Sequence, residues 1–232
     1  GDEDMGLKML MERMRDGKSV SSAVELMIRE RAAIEEEYGK RLLKLGRKFE
    51  PVQEIGTLRS SLDVVRVELE KSARFHLDLA AELREKLAVP LAEFKAAQTA
   101  IYKIVSSGRV NKHRKEKIAT DSSLSKVRKR WEARAAEVSH LKVLGSNTPA
   151  GKEAEKLKIK LDQVRIQAEK AEQDYTAAAK SADVIADKWE ETYRAACMEC
   201  ERLEEERFHF LSGSVWNFAN HISATCYADE EV

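Results

Sequence analysis

Apolar residues recur along this chain at alternating spacings of three and four, the period of amphipathic helices, over most of its length. Val20, Val24, Met27, Ile34, Tyr38, Leu42, Leu45 and Phe49 form the first series, with Arg31 filling one slot. A turn at Asp16-Gly17-Lys18 and a start signal at Ser22, three residues before Glu25, place this helix from about residue 19 to 49. Pro51 and Gly56 end it. A second series runs through Leu58, Leu62, Val65, Leu69, Ser72, His76, Leu79 and Leu83, meets Pro90, and continues through Phe94, Ile101 and Val105. It weakens at Ser106-Ser107-Gly108, passes a basic stretch and Trp131, and stops near Gly145. Proline inside a helical pattern kinks it, so residues 57–144 are expected to form one long, bent helix.

The second joint is Gly145-Ser146-Asn147-Thr148-Pro149, where Thr148 as N-cap and Pro149 at the first helical position would start a third helix. Leu157, Leu161, Val164, Ala168, Ala171, Tyr175, Ala178, Ala182, Ile185 and Trp189 then hold a heptad pattern, continuing more loosely through Leu203, Leu211, Val215, Phe218 and Ile222. Such a helix would run about 75 residues, or roughly 110 Å at 1.5 Å per residue. Three helices of this kind in one chain leave a seam too exposed for a monomer. A second copy packed antiparallel is the economical solution, giving a dimeric all-α bundle.

Composition agrees with long helices. Of the 232 residues 35% are charged and 6% aromatic, with 3 prolines and 10 glycines to make turns. Formal net charge is zero, but its distribution is uneven. Residues 103–130 carry ten Lys and Arg against Glu116 and Asp121, whereas residues 187–232 carry eleven acids against four bases. One strongly basic surface and one acidic surface are therefore expected. Cys197, Cys200 and Cys226 offer no disulfide framework, and the Cys197/Cys200 pair falls within a heptad pattern, where small residues near a helix seam are the plainer reading. Five scattered histidines lack ligand spacing, so neither metal nor cofactor is expected. No apolar run reaches the roughly 18 residues of a transmembrane helix and no signal peptide is visible, which points to a cytoplasmic setting. Without a Gly-rich phosphate loop or a nucleophile-and-base arrangement, and with Glu204-Glu205-Glu206 reading as exposed, enzymatic activity is not expected.

The run Arg29 to Leu45, RERAAIEEEYGKRLLKL, resembles the N-terminal signature of F-BAR domains, which reads approximately R-A-x-I-E-x-x-Y-x-K-x-L-x-K-L. His76 to Arg84 (HLDLAAELR) is similar to the second helix of cell-division-ring and Rho-regulator members. Lys188 to Glu206 and Arg207 to Asn220 are similar to the end of their third. The resemblance implies a single domain over residues 1–232, an elongated long-helix bundle of BAR type whose antiparallel homodimer forms a curved rod. It further implies a basic concave face that binds anionic membranes. By motif position, Arg29, Arg31, Arg47 and Lys48 fall where lipid-contacting residues occur in related domains, and Arg109, Lys112, Arg114, Lys115 and Lys117 form a second basic group. Relatives continue past Tyr227-Ala228-Asp229-Glu230 into a further short helix, so the chain is expected to be a fragment of a longer protein.

The function expected is a dimeric module at the plasma membrane or cell cortex. It would bind phosphatidylserine and phosphoinositides and act in cytokinesis, endocytosis or actin organisation, with cytoskeletal proteins as further partners. The alternative is a helical scaffold for cytoskeletal partners without direct lipid contact. Nucleic-acid binding through residues 103–130 would need base-reading groups that the stretch lacks beyond Tyr102 and Trp131. The basic first helix also has a plainer explanation, because Arg31 with Glu35 and Glu36 with Lys40 are spaced for ion pairs on a solvated face.

Overall fold

The computed structural model describes residues 5–230, and all its regular elements are helices. They are α1 (Met5–Lys48), α2 (Gly56–Glu82), a π-helical turn (Leu83–Ala88), α3 (Val89–Ser107), α4 (Arg109–Asn147) and α5 (Lys152–Glu230). The chain divides into two compact units, residues 1–103 with 197–232 and residues 104–196.

In the first unit Ile28 and Ala32 of α1 meet Leu79, Leu83, Leu87, Ala88 and Leu91 in a buried cluster. Val24, Phe94, Phe210, Leu211, Phe218 and Ile222 pack around it, with the Phe94 and Phe210 rings stacked 4.2 Å apart. The face of α1 that packs within the chain includes Leu7, Met14, Gly17, Ser21, Ile28, Ala32, Glu35, Gly39 and Gly46. Small residues let neighbouring backbones approach closely. A Cβ on Gly39 would lie 2.8 Å from the carbonyl oxygen of Ala73.

This is not the face that the apolar series marks. Val20, Met27, Ile34, Tyr38 and Leu45 are 50, 46, 60, 48 and 54% exposed. The helix also starts earlier than residue 19. Residues 16–18 do not turn, because Gly17 is a contact residue within α1: a Cβ there would lie 2.7 Å from Nε of Arg207. Ser22 caps nothing, and its hydroxyl donates to the Lys18 carbonyl in mid-helix.

Residues 57–144 are not one helix. The chain does continue through Pro90, with the π turn immediately before it. There the Val89 N–H reaches back five residues to the Arg84 carbonyl. Proline has no N–H and crowds the carbonyl four residues back, and the wider turn changes the bonding register where that conflict would fall. The helix breaks instead at Gly108, whose φ of −87° and ψ of −108° are not helical. Thr148, the expected N-cap, closes α4: its backbone is extended, as a residue before proline prefers, and its hydroxyl donates to the Leu144 carbonyl. Helix α5 begins three residues after Pro149, with Glu153 and Glu155 in its first turn complementing the helix dipole.

Helix α5 has 79 residues, close to the expected length. In the second unit its heptad is buried as read, with Val164, Ala171, Ala182 and Trp189 inside and the intervening seam residues half-buried. Helix α4 supplies a matching series that the sequence pattern hid: Val110, His113, Lys117, Thr120, Leu124, Val127, Trp131, Arg134, Val138 and Leu141 are all buried or half-buried at spacings of three and four. Trp131 stacks on Tyr175 at 5.1 Å, and His113 Nδ1 lies 2.7 Å from the Thr192 hydroxyl. Of the other tryptophans Trp189 is buried, whereas Trp216 is 69% exposed.

Candidate functional site

Helical geometry sorts the basic residues of α1 onto two sides. At 100° per residue Lys18, Arg29, Lys40 and Arg47 fall within about 40° of one another. Arg31, two residues after Arg29, lies about 200° further round, within the exposed apolar stripe of Met27, Ile34, Tyr38 and Leu45. The structure therefore groups Arg29 with Arg47 and separates Arg31 from both.

Arg31 serves a different arrangement. Its guanidinium pairs with Glu35, whose side chain is only 5% exposed. The second Glu35 oxygen lies 2.6 Å from Nδ1 of His76. The other His76 nitrogen lies 3.0 Å from Asp229, which also accepts a 2.8 Å hydrogen bond from Ser72. Tyr38 meets the imidazole edge-on at 4.6 Å. The network ties α1 and α2 to the last turn of α5.

On the basic side of α1 several charges are partly compensated. Glu25 lies between Arg29 at 2.8 Å and Lys95 of α3 at 2.7 Å, and these cations, Lys95 foremost, hold its carboxyl below the usual carboxylate range. Glu36 pairs with Lys40 and Arg84 and is lowered in the same way, by Lys40 first. The anticipated pairs Arg31–Glu35 and Glu36–Lys40 are thus both present. Glu204 is not the exposed residue expected, since it is half-buried between Arg13 and Arg207, and its carboxyl is lowered mainly by Arg207. Among the described residues Arg15, Lys18, Lys44, Arg47 and Lys48 make no ion pair, and the last two sit at the C-terminal end of α1, where the helix dipole favours cations.

The second basic group lies on α4. With Val110, His113 and Lys117 turned toward α5, Lys112, Lys115, Lys126 and Lys129 share the opposite, outer side of the helix. All four are exposed and have no ion-pair partner among the described residues. Arg109 is exposed at the first position of α4 and Arg114 is exposed on a flank. Lys117 is placed otherwise than its neighbours: it is a seam residue, 22% exposed, held 3.1 Å from Asp121. Arg128 pairs with Glu132, and Arg130 reaches Asp174 on α5. The sequence missed this sorting because the charged residues that occupy seam positions make the whole stretch read as uniformly basic.

Among the described residues no group of His, Cys, Asp and Glu could hold a metal ion, and no helix is long and apolar enough to cross a membrane. Cys200 is a buried seam residue whose thiol is pushed up by burial.

The family model described as "Fes/CIP4, and EFC/F-BAR homology domain" matches residues 6–78. The solved Imp2 F-BAR domain superposes with a TM-score of 0.88 at 29% identity, over 100% of this chain and 77% of that one. The chain is similar to F-BAR domains along its whole length. Among curated proteins the chain is 29% identical over 231 residues to septation protein imp2 of Schizosaccharomyces pombe, covering 100% of the chain and 34% of that protein. It is 27% identical over 230 residues to human proline-serine-threonine phosphatase-interacting protein 1, covering 98% of the chain and 55% of that protein. The chain thus spans roughly a third to a half of the length of these relatives.

Proposed function

We propose that this chain is an F-BAR domain, a dimeric module that binds anionic membrane through Arg29, Arg47 and Lys48 of α1 and the outer lysines of α4, Lys112, Lys115, Lys126 and Lys129, flanked by Arg109 and Arg114. The observation that carries the reading is the set of exposed lysines on α4, Lys112, Lys115, Lys126 and Lys129, that no carboxylate compensates. Lys40 on α1 is paired with Glu36 four residues away, whereas Glu116, four residues after Lys112, lies 4.0 Å from Lys188 on α5 instead. Each uncompensated Lys or Arg near an anionic leaflet contributes on the order of 1 kcal/mol within a Debye length of about 8 Å.

Dimerisation is supported by the apolar stripe on α1, from Val20 to Leu45, whose residues stay about half exposed in the single chain. In this reading Arg31 and Lys117 act in structure rather than in lipid contact. Its similarity to F-BAR domains and to a septation protein supports a role at the cell cortex during division, where it would shape or scaffold the membrane.

Co-sedimentation with vesicles tests the reading. Pelleting is expected with phosphatidylserine or phosphoinositide vesicles at low salt, lost at high salt and lost when Lys112, Lys115, Lys126 and Lys129 become Glu. Equal, negligible pelleting on neutral and anionic vesicles by a dimeric protein would overturn it in favour of a purely protein-binding scaffold.

A further inference from the structure

Helix α2 holds one imidazole, that of His76, between carboxylates from two other helices. Nδ1 lies 2.6 Å from Glu35 of α1, and Nε2 lies 3.0 Å from Asp229 in the last turn of α5. The other oxygen of each acid is also engaged. That of Glu35 pairs with Arg31, and that of Asp229 accepts a 2.8 Å hydrogen bond from the Ser72 hydroxyl of α2. From α1 the Tyr38 ring meets the imidazole edge-on. The His76 side chain is 14% exposed, so water competes little for its nitrogens. A carboxylate only accepts hydrogen bonds, and a neutral imidazole has one N–H and one lone pair. In that form one of the two contacts sets a lone pair against a carboxylate oxygen. The imidazolium has two N–H groups and donates to both acids. His221 of α5 makes no such demand. Its Nδ1 lies 2.8 Å from Glu82, which also pairs with Lys86, and a neutral ring with its proton on Nδ1 serves that single contact.

We propose that His76 is a proton-controlled latch that docks the C-terminal turn of α5 onto α1 and α2. With a proton on both nitrogens the ring ties Asp229 to Glu35. When one proton is lost, one carboxylate must be let go, and Asp229 is the one released. It is 34% exposed and can take water in place of the ring, whereas Glu35 is buried and keeps Arg31. The docked state holds the extra proton, so docking is firm at the acid end and weakens as pH rises. Histidine changes charge between about pH 5 and 8, which puts the response above the range of the side-chain carboxylates. The latch does not depend on lipid binding. Its effect falls on how firmly the end of α5 is held beside Tyr38, a residue of the exposed stripe on α1.

Hydrogen exchange of the amides of residues 222–230, corrected at each pH for the intrinsic exchange rate, tests the latch on the whole chain between pH 6 and pH 8. Protection in the parent protein is expected to fall at least about fivefold over that range, and by no more than about tenfold per pH unit, the limit for one proton. Asp229→Asn is the decisive variant. Its amide gives Nε2 a donor, so a neutral ring satisfies both neighbours. Protection in Asp229→Asn should lie below the parent's at pH 6, match or exceed it at pH 8, and lose the fall between them. His76→Gln should also remove the fall, and His221→Gln should leave it in place. Circular dichroism identical to the parent protein verifies that each variant is folded. Parent protection that stays constant from pH 6 to pH 8 overturns the proposal, as does an Asp229→Asn variant that keeps the parent's fall. A fall that survives His76→Gln and disappears with His221→Gln overturns it in favour of the other histidine.

Discussion

Arg29 and Arg31 stand two apart in one basic motif, yet their environments give them different work. Arg29 is half-exposed and pairs with Glu25 along the helix, an arrangement worth a few tenths of a kcal/mol. Arg31 balances Glu35, which is buried and already engaged by His76. Replacing Arg31 by Ala leaves that carboxylate short of a cation and should cost about 1–3 kcal/mol in urea unfolding. Arg29→Ala should change stability by less than about 0.5 kcal/mol. The lowered carboxyls Glu25, Glu36 and Glu204 set a pH dependence of definite sign. Because each is depressed in the folded chain, the stability it contributes is complete above the ordinary carboxylate range of about pH 4–5 and is lost as pH falls through the depressed values. Thermal midpoints recorded from pH 7 down to pH 3 should therefore decline below about pH 5, and the variant Glu25→Gln/Glu36→Gln/Glu204→Gln should decline less over that window.

At the scale of elements, glycines separate what was legible in the sequence from what was not. Gly17 reads as a turn, but it lies within α1 because the Arg207 side chain occupies the space of a Cβ. Gly39 and Gly145 are both helical, and their surroundings oppose each other. Gly39→Ala drives a methyl to within 2.8 Å of the Ala73 backbone oxygen and should destabilise by about 1–3 kcal/mol. At Gly145 an added Cβ meets nothing within 4 Å, and the substitution should stabilise by about 0.4–1 kcal/mol through lost unfolded-chain entropy. Paired denaturant curves decide both signs. The heptad of α5 was readable because aliphatic, aromatic and alanine residues fill its slots, as at Val164, Ala171 and Trp189. The seam of α4 was not, because His113, Lys117, Thr120 and Arg134 occupy positions that a hydrophobic pattern leaves blank. The first helix misled in the opposite way. Its most conspicuous apolar series is the face left exposed in the single chain, while Gly39, Gly46, Ser21 and Glu35 form part of the face that is buried. For the basic candidates, the sequence marked stretches but could not say which side of each helix carries each charge, since that follows from the hidden seams.

For the whole molecule, dimerisation and membrane affinity are one question. Four uncompensated lysines on α4 amount to about 4 kcal/mol per protomer at about 1 kcal/mol each, a dissociation constant near 1 mM. A dimer that presents the set twice doubles the sum to about 8 kcal/mol, near 1 μM, without any new contact. The difference is about a thousandfold, so whatever separates the protomers should abolish pelleting at micromolar protein even with every lysine in place. Met27→Glu/Ile34→Glu is the variant to make, because both residues are about half exposed in the single chain and neither belongs to its buried cluster. Sedimentation equilibrium should report twice the 26.3 kDa chain mass for the parent protein and the chain mass for the variant, with helical circular dichroism retained. Vesicle binding by the variant should then weaken by two to three orders of magnitude, with about half the parent's dependence of log affinity on log salt. A variant that sediments at the chain mass and still binds with the parent's affinity and salt slope would show that one protomer carries the whole interaction, and the paired lysine surface would lose its role.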